Sequence, residues 1–396
     1  MNIEELFIEL AKIPSPSLRE DNVIEYIKSY CATLGLSAKQ DEYGNIYLKL
    51  EATDKTKKPL ILSAHMDVVG GDEAVNIAKE GDIIKTDGTR TLGADNKAGI
   101  ASILKLFEVV KNSNTSHGTL EALFTRDEEV GMTGINHANF EEFEGEYVLV
   151  LDSDSLGNIE FAGADYTKML LEVETLKGGH SGNDIWDKSR LNAINVIAET
   201  ICALPSGVWA SDEAGTITSL NAGAIIGGAI EKVTPSADKN FTKELIQEAR
   251  DNIINTYACA KYSIRSSSNE HKRTLIEKIE STVAELNKKY EGLANIKVDI
   301  KNHMPMFEKA DDETMINIAR IAAEKINLPY KVQTFHAGAE THIWANKTNR
   351  LGNKFKPLLL GGADIKNMHS SKETLDVKSL EKGAEWVQEI FWELNK

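Results

Sequence analysis

The chain has 396 residues, with 45 Lys and Arg against 61 Asp and Glu and a formal charge of −16. That balance argues against nucleic acid and anionic membrane surfaces as partners, because both require a basic footprint. The length predicts roughly two domains of about 100 to 250 residues each, with ample material for a buried sheet.

The opening segment MNIEELFIELAKIPSPS reads as an acidic amphipathic helix start. It lacks the basic region and following apolar run of a signal peptide, and no later stretch approaches a membrane span. Cys31, Cys202 and Cys259 are far apart and odd in number, with no pair at metal-ligand spacing; inert thiols in a reducing cytoplasm are expected.

Residues 3–36 read as helix broken at Pro14 and Pro16, and KQDEYGNIYLKL as a hairpin strand after a Tyr-Gly-Asn turn. Residues 59–69 form an apolar strand, and NKAGIASILKLFEVVK carries Ile100, Ile103, Leu104, Phe107 and Val110 at helical spacing. Strands at 119–125 and 147–151 follow. Apolar strands alternating with helices predict an α/β domain, a mainly parallel mixed sheet flanked by helices.

From Tyr166 the texture changes. TKMLLEVETLKG alternates like a half-exposed strand, LNAINVIAETICAL is a helix, and TITSLNAGAIIGGAIEKV and YACAKYSIRS are strands. A long helix from His271 to Tyr290 and the strand NIKVDI complete an α+β pattern, after which α/β alternation returns. The expected organisation is one domain of 1–165 and 307–396 with a smaller α+β domain, 166–306, inserted into it.

Polar residues collect at predicted strand ends: His65 and Asp67, Glu128 and Glu129, Asp152 and His369, with Asp95 opening a helix. Open α/β sheets bind ligands beyond the carboxyl ends of their strands, so scattered residues converge there. His65 and Asp67 lie two apart, on one face of an extended strand, so Asp67 can brace His65. Catalytic zinc sites use His and carboxylate ligands, whereas structural ones are usually closed by several Cys. Two ions about 3.5–4 Å apart need a shared ligand, and Asp95 is the candidate. Of the adjacent Glu128 and Glu129, one ligates and the other moves protons.

Singly, each of these has a plainer reading. An isolated His-x-Asp or Glu-Glu is commonly surface charge, Asp152 could cap a helix and His369 could be a loop histidine. GGHSG at 178–182 could be a glycine turn, and Arg265 a surface strand residue. Segment 223–228 lacks the strand-then-helix context of a nucleotide loop. Joint placement at strand ends favours a metal-dependent hydrolase.

SAHMDVV, DGTRTLGADNKAGIAS, HGTLEALFTRDEEVGMTG, VLDSD, KGGHSG and GGADIKNMHSSKE follow one another in this chain. In order and spacing they resemble the co-catalytic zinc exopeptidases, the family of peptidase T, aminoacyl-histidine dipeptidase, glutamate carboxypeptidase and aminoacylase. The likeness runs essentially end to end. It implies two divalent ions, zinc by the family's habit, although manganese and cobalt also suit His and carboxylate sites. It implies that His65, Asp95 and Asp152 hold one ion and Asp95, Glu129 and His369 the other. Asp67 orients His65, and Glu128 is the base that deprotonates water and later protonates the leaving amine. His180, in an inserted lid and dimerisation domain, helps stabilise the oxyanion, in many relatives from across a homodimer.

Arg265 resembles the lid arginine that grips the substrate carboxylate. Asn221 and Glu340 complete the expected substrate-binding set. GADNKAGIAS and FHAGAETH, which contains Glu340, look like aminoacyl-histidine dipeptidase, whereas the compact length and SAHMDVV look like peptidase T. Lys232, three before Pro235, stands where many relatives have Asn. The resemblance implies a di-zinc exopeptidase of di- or tripeptides. A deacylase of N-acyl amino acids would share the metal site, and a silent metal-binding scaffold would have lost a ligand or the base.

Overall fold

The computed structural model describes residues 1–213, 215–228 and 251–396; Lys232 and Pro235 lie outside the described residues. Contacts divide the chain into two compact units, one of Met1–Gly163 with Phe307–Lys396 and one of Ala164–Met306. No described helix is long and apolar enough to cross a membrane.

The first unit is built on an eight-stranded sheet. Its order is Ala38–Gln40, Ile46–Leu50, Leu120–Thr125, Leu60–His65, Tyr147–Ser153, Lys356–Gly361, Asn158–Gly163 and Lys331–Phe335. The four strands from Leu120–Thr125 to Lys356–Gly361 are parallel neighbours, so their carboxyl ends share one edge. Antiparallel pairs flank them on both sides, which makes the sheet mixed.

The central strands are apolar almost throughout because both faces are covered. Leu60, Leu62 and Ala64 face the larger core, whereas Ile61 turns to the opposite cluster with Phe140, Phe143, Trp344 and Phe355. Side chains alternate along a strand, so Ser63 and His65 share the face of Ile61. The helices Ile3–Lys12, Ala94–Lys111, Thr314–Lys325 and Val377–Leu394 supply the larger core. Burial of Phe7, Phe107 and Phe124 there contributes on the order of 1.5–3 kcal/mol each. Asn2 and Glu5 close the first helix with reciprocal hydrogen bonds of 2.8 and 3.0 Å.

A second sheet of this unit was not anticipated from the sequence. Four short antiparallel strands, Ile365–Lys366, Thr374–Asp376, Ile83–Thr86 and Ile77–Glu80, pair in that order. Their sequences are too brief and too polar to show a period. This small sheet carries His369 in the connection between its first two strands, so that histidine does not sit at an end of the main sheet.

The other unit is a five-stranded antiparallel sheet of Gly207–Ser211, Ile217–Gly227, Tyr257–Ser266, Tyr166–Thr175 and Ala294–Met304, in that order. Tyr166–Thr175 alternates as an antiparallel strand with one covered face should, burying Met169, Leu171 and Val173. The helices Ala193–Ala203 and Asn269–Lys289 cover that face with Val196, Ile197, Leu275 and Ile279. Ser268 caps the longer helix by accepting the N–H of His271 at 3.3 Å.

Candidate functional site

The parallel strands deliver their loops to one edge of the first unit. His65 is the last residue of its strand and Asp152 the penultimate residue of the next, while Glu128 and Glu129 follow Thr125 in the adjoining loop. Asp95 stands at the start of its helix in a non-helical conformation, φ −83° and ψ 103°, one residue after the Gly93–Ala94 entry turn.

Asp95 is central to the geometry. One carboxylate oxygen lies 3.0 Å from Nε2 of His65 and the other 2.9 Å from Nε2 of His369. Asp152 Oδ1 lies 3.4 Å from the same nitrogen of His65. Glu129 Oε1 lies 3.3 Å from Nε2 of His369 but makes no hydrogen bond among the described residues. The ligand atoms of His65, Asp95 and Asp152, and those of Asp95, Glu129 and His369, each fall within 4.8 Å of one another. Two donor sets that share one carboxylate, with the two histidines at its opposite oxygens, fit a pair of divalent cations.

The electrostatics agree with that fit. Burial pushes Glu129 up to about 7, Asp152 up to about 6 and Glu128 well above the carboxylate range. These groups were brought together out of water and repel one another. Burial also raises Asp95, but hydrogen bonds from His369 and His65 outweigh it and hold the carboxyl low. Burial would lower His65, yet Asp152, Asp67 and Asp95 raise it well above the imidazole range, and Asp95 lifts His369 to about 9. The cluster draws positive charge, as a cation site does.

Surrounding residues hold these side chains in place. His65 Nδ1 lies 2.9 Å from the backbone carbonyl of Asp67 and 3.3 Å from its Oδ1. Asn96 Nδ2 donates to Asp152 at 2.8 Å. Glu373 is fully buried and accepts the N–H groups of Gly93 and Asp95 at 2.7 and 3.2 Å, as well as the Thr91 hydroxyl. It therefore fixes the turn that presents Asp95. The sequence reading passed over Glu373, although it lies four residues beyond His369 in the same motif.

His65, Asp95, Glu128, Glu129, Asp152 and His369 line a cavity of about 310 Å³, within the range of small-ligand sites. Ser153, Asp154, Glu160, Phe335 and Ala337 to Ala339 extend it. Glu340 does not line this cavity: it is 1 % exposed and takes the Ser63 hydroxyl at 3.0 Å. Burial raises its carboxyl to about 7.

The remaining candidates belong to the other unit. His180 is exposed on a two-residue strand paired with Ile253–Ile254. Its Nδ1 accepts the N–H groups of Gly182 and Asn183 at 3.1 and 3.3 Å, which leaves the proton on Nε2 as an outward donor. Arg265 is half-buried with its guanidinium 4.7 Å from the Tyr166 ring centre. Its Nη1 is buried and lacks a hydrogen-bond partner among the described residues. Asn221 is exposed on Ile217–Gly227, opposite Ser263.

The model of peptidase family M20/M25/M40 matches residues 61–393. The cytosol non-specific dipeptidase of Escherichia coli is 33 % identical over 211 residues, covering 46 % of this chain and 43 % of that protein. Peptidase T of Alkaliphilus oremlandii is 26 % identical over 316 residues, 78 % of this chain and 67 % of that one. The crystal structure of aminopeptidase PepT from Bacillus cereus superposes with a TM-score of 0.83 at 25 % identity, covering 100 % of both chains.

Proposed function

Since this chain belongs to peptidase family M20/M25/M40, we propose that it is a metallo-exopeptidase that opens the terminal amide bond of di- and tripeptides with two zinc ions. His65, Asp95 and Asp152 would hold one ion, and Asp95, Glu129 and His369 the other. The observation that carries this reading is Asp95, whose two oxygens each face a different histidine.

Bound there, the ions supply Lewis-acid polarisation of a carbonyl and make water acidic enough to lose a proton near neutrality. Glu128 is the residue left to move that proton. It lines the cavity, neighbours a ligand, and burial gives it the high proton affinity that a group cycling between acid and base needs. Glu128 takes a proton from the attacking water and returns one to the leaving nitrogen.

His180 and Arg265 complete the assignment. A neutral imidazole with its proton on Nε2 suits donation to a developing oxyanion. A guanidinium with an unused N–H suits a peptide carboxylate. In the same reading two copies associate through the second unit, and the enzyme works in a cytoplasm that keeps its three free cysteines reduced. Asn221 is the remaining candidate for a substrate contact. Glu340, being buried beneath Ser63, is assigned a supporting place under the ligands instead.

Release of amino acids from a panel of free di- and tripeptides and N-acylated amino acids, with chelator and zinc add-back, tests this. We expect chelator-sensitive cleavage of the free peptides that zinc restores. Cleavage of acylated substrates alone would reassign the chain as a deacylase, and silence throughout would leave a metal-binding scaffold. The mass of the same preparation in solution tests the dimer, and a strict monomer removes any role for His180 across copies.

A further inference from the structure

The carboxylate of Asp67 serves more than His65. Its Oδ1 accepts the N–H of Glu128 at 2.9 Å, and its Oδ2 accepts the N–H of Glu129 at 3.1 Å. The imidazole Nδ1 is 3.3 Å from that Oδ1, while its shorter contact, 2.9 Å, is to the Asp67 backbone carbonyl. Each oxygen of this buried carboxylate thus holds a backbone N–H, one of the base and one of its neighbouring ligand.

A second donor on Oδ2 comes from far along the chain. Ser17 Oγ donates to it at 2.7 Å across 50 residues of sequence. The rest of segment 15–20 is tied to the same two loops. Ser15 Oγ donates to the Met66 carbonyl at 2.9 Å, and the Val68 N–H donates to the Ser15 carbonyl at 2.9 Å. The Leu18 N–H donates to Asp127 Oδ1 at 2.5 Å. Glu20 takes the Asp127 N–H at 3.1 Å and the Arg126 guanidinium at 2.5 and 2.8 Å. Leu18 and Asp127 both have positive φ, 70° and 54°, a conformation that persists in non-glycine residues only where neighbours enforce it.

Resting on the reading of function above, we propose that segment 15–20 is a positioning element for the base, and that Ser17 is a positioning residue acting through Asp67 on the Glu128–Glu129 backbone. Ser17 belongs neither to the donor sets nor to the cavity lining. Without its hydroxyl, Oδ2 keeps one donor, and the carboxylate is free to turn from the two amides toward the imidazole. The base then loses its alignment with the water, while the groups that bind substrate are untouched.

Ser17→Ala and Ser17→Thr, compared with the unaltered chain on one dipeptide, test the proposal through kcat, KM and bound metal. For Ser17→Ala we expect kcat to fall about 10- to 100-fold with KM within about twofold and metal content unchanged, and for Ser17→Thr to recover most of that loss, since about 1 Å of misplacement costs on this order. An unchanged kcat in Ser17→Ala, a loss that Ser17→Thr leaves in place, or a loss carried by KM overturns it. If Ser17→Ala does not fold, Glu20→Gln loosens the Asp127 side of the same segment; a lowered kcat at constant KM supports the proposal and an unchanged kcat overturns it. An unaltered chain that cleaves no peptide refutes the function, whereas cleavage that Ser17→Ala leaves intact refutes only the positioning role.

Discussion

In the first unit, His65, Asp67 and Asp95 are 2 %, 0 % and 8 % exposed, and hydrogen bonds hold each of them from more than one side. In the second unit, His180 and Asn221 are exposed, and Arg265 keeps an N–H without a partner among the described residues. The contrast follows from what each set is assigned to do. Groups that must concentrate charge have to be fixed before a ligand arrives, because reorganising them during the reaction would cost the energy that they supply. Groups that grip a substrate need donors not already bonded within the protein, because a bond broken on binding offsets the one formed.

Removing Glu128, the proposed base, should therefore produce the largest effect. In Glu128→Ala we expect kcat to fall by about 10²–10⁴-fold with metal content near normal, measured by steady-state assay beside elemental analysis. Full activity in that variant would break the division between the two units at its centre.

Arg265→Ala sharpens the comparison from the other side. Loss of a hydrogen bond to a charged group should raise KM by about 10- to 100-fold, with a smaller change in kcat and no change in bound metal. A variant in which kcat carries the loss would place Arg265 with the chemistry instead of the grip.

A further effect, on stability instead of turnover, concerns the burial on which the first unit depends. Lys97 has no exposed surface, and burial, then the charge of Arg90, lowers its ammonium from 10.5 to about 7. Between those values the unfolded chain binds a proton that the folded chain lacks, so this group makes stability rise with pH. Below about 7 both states are protonated and the contribution stays constant. Urea unfolding at pH 7.5 and 9.5 should show the unaltered chain gaining about 2–3 kcal/mol relative to Lys97→Met. Equal gains in both would mean that Lys97 keeps its proton in the fold.

Much of the candidate site's clustering was legible because its residues are of telling types at telling places. His65 and Asp67 end an apolar strand, Glu128 and Glu129 follow another, and Asp152 closes a third. Parallel strands separated by helices bring such ends together whatever the intervening sequence. His369 was identified by its motif, but its setting was not, because the short strands around it lack a hydrophobic period. Glu340 was grouped with substrate contacts by motif, whereas packing of its helical turn against Ser63 takes it out of the cavity.

The sequence by itself determined the α/β fold class, the residue types available for metal and proton chemistry, and the strand ends that carry most of them. Periodicity and turn chemistry are local, so one chain reports them. Only the tertiary structure decided that Asp95 stands between the two histidines, that Glu373 braces its turn, and that Asp67, itself held by Ser17, binds the backbone of Glu128 and Glu129. Those bonds join residues 30 to 282 positions apart. Their partners are chosen by where the packed strands and helices leave donors and acceptors facing each other, a relation that no local pattern carries.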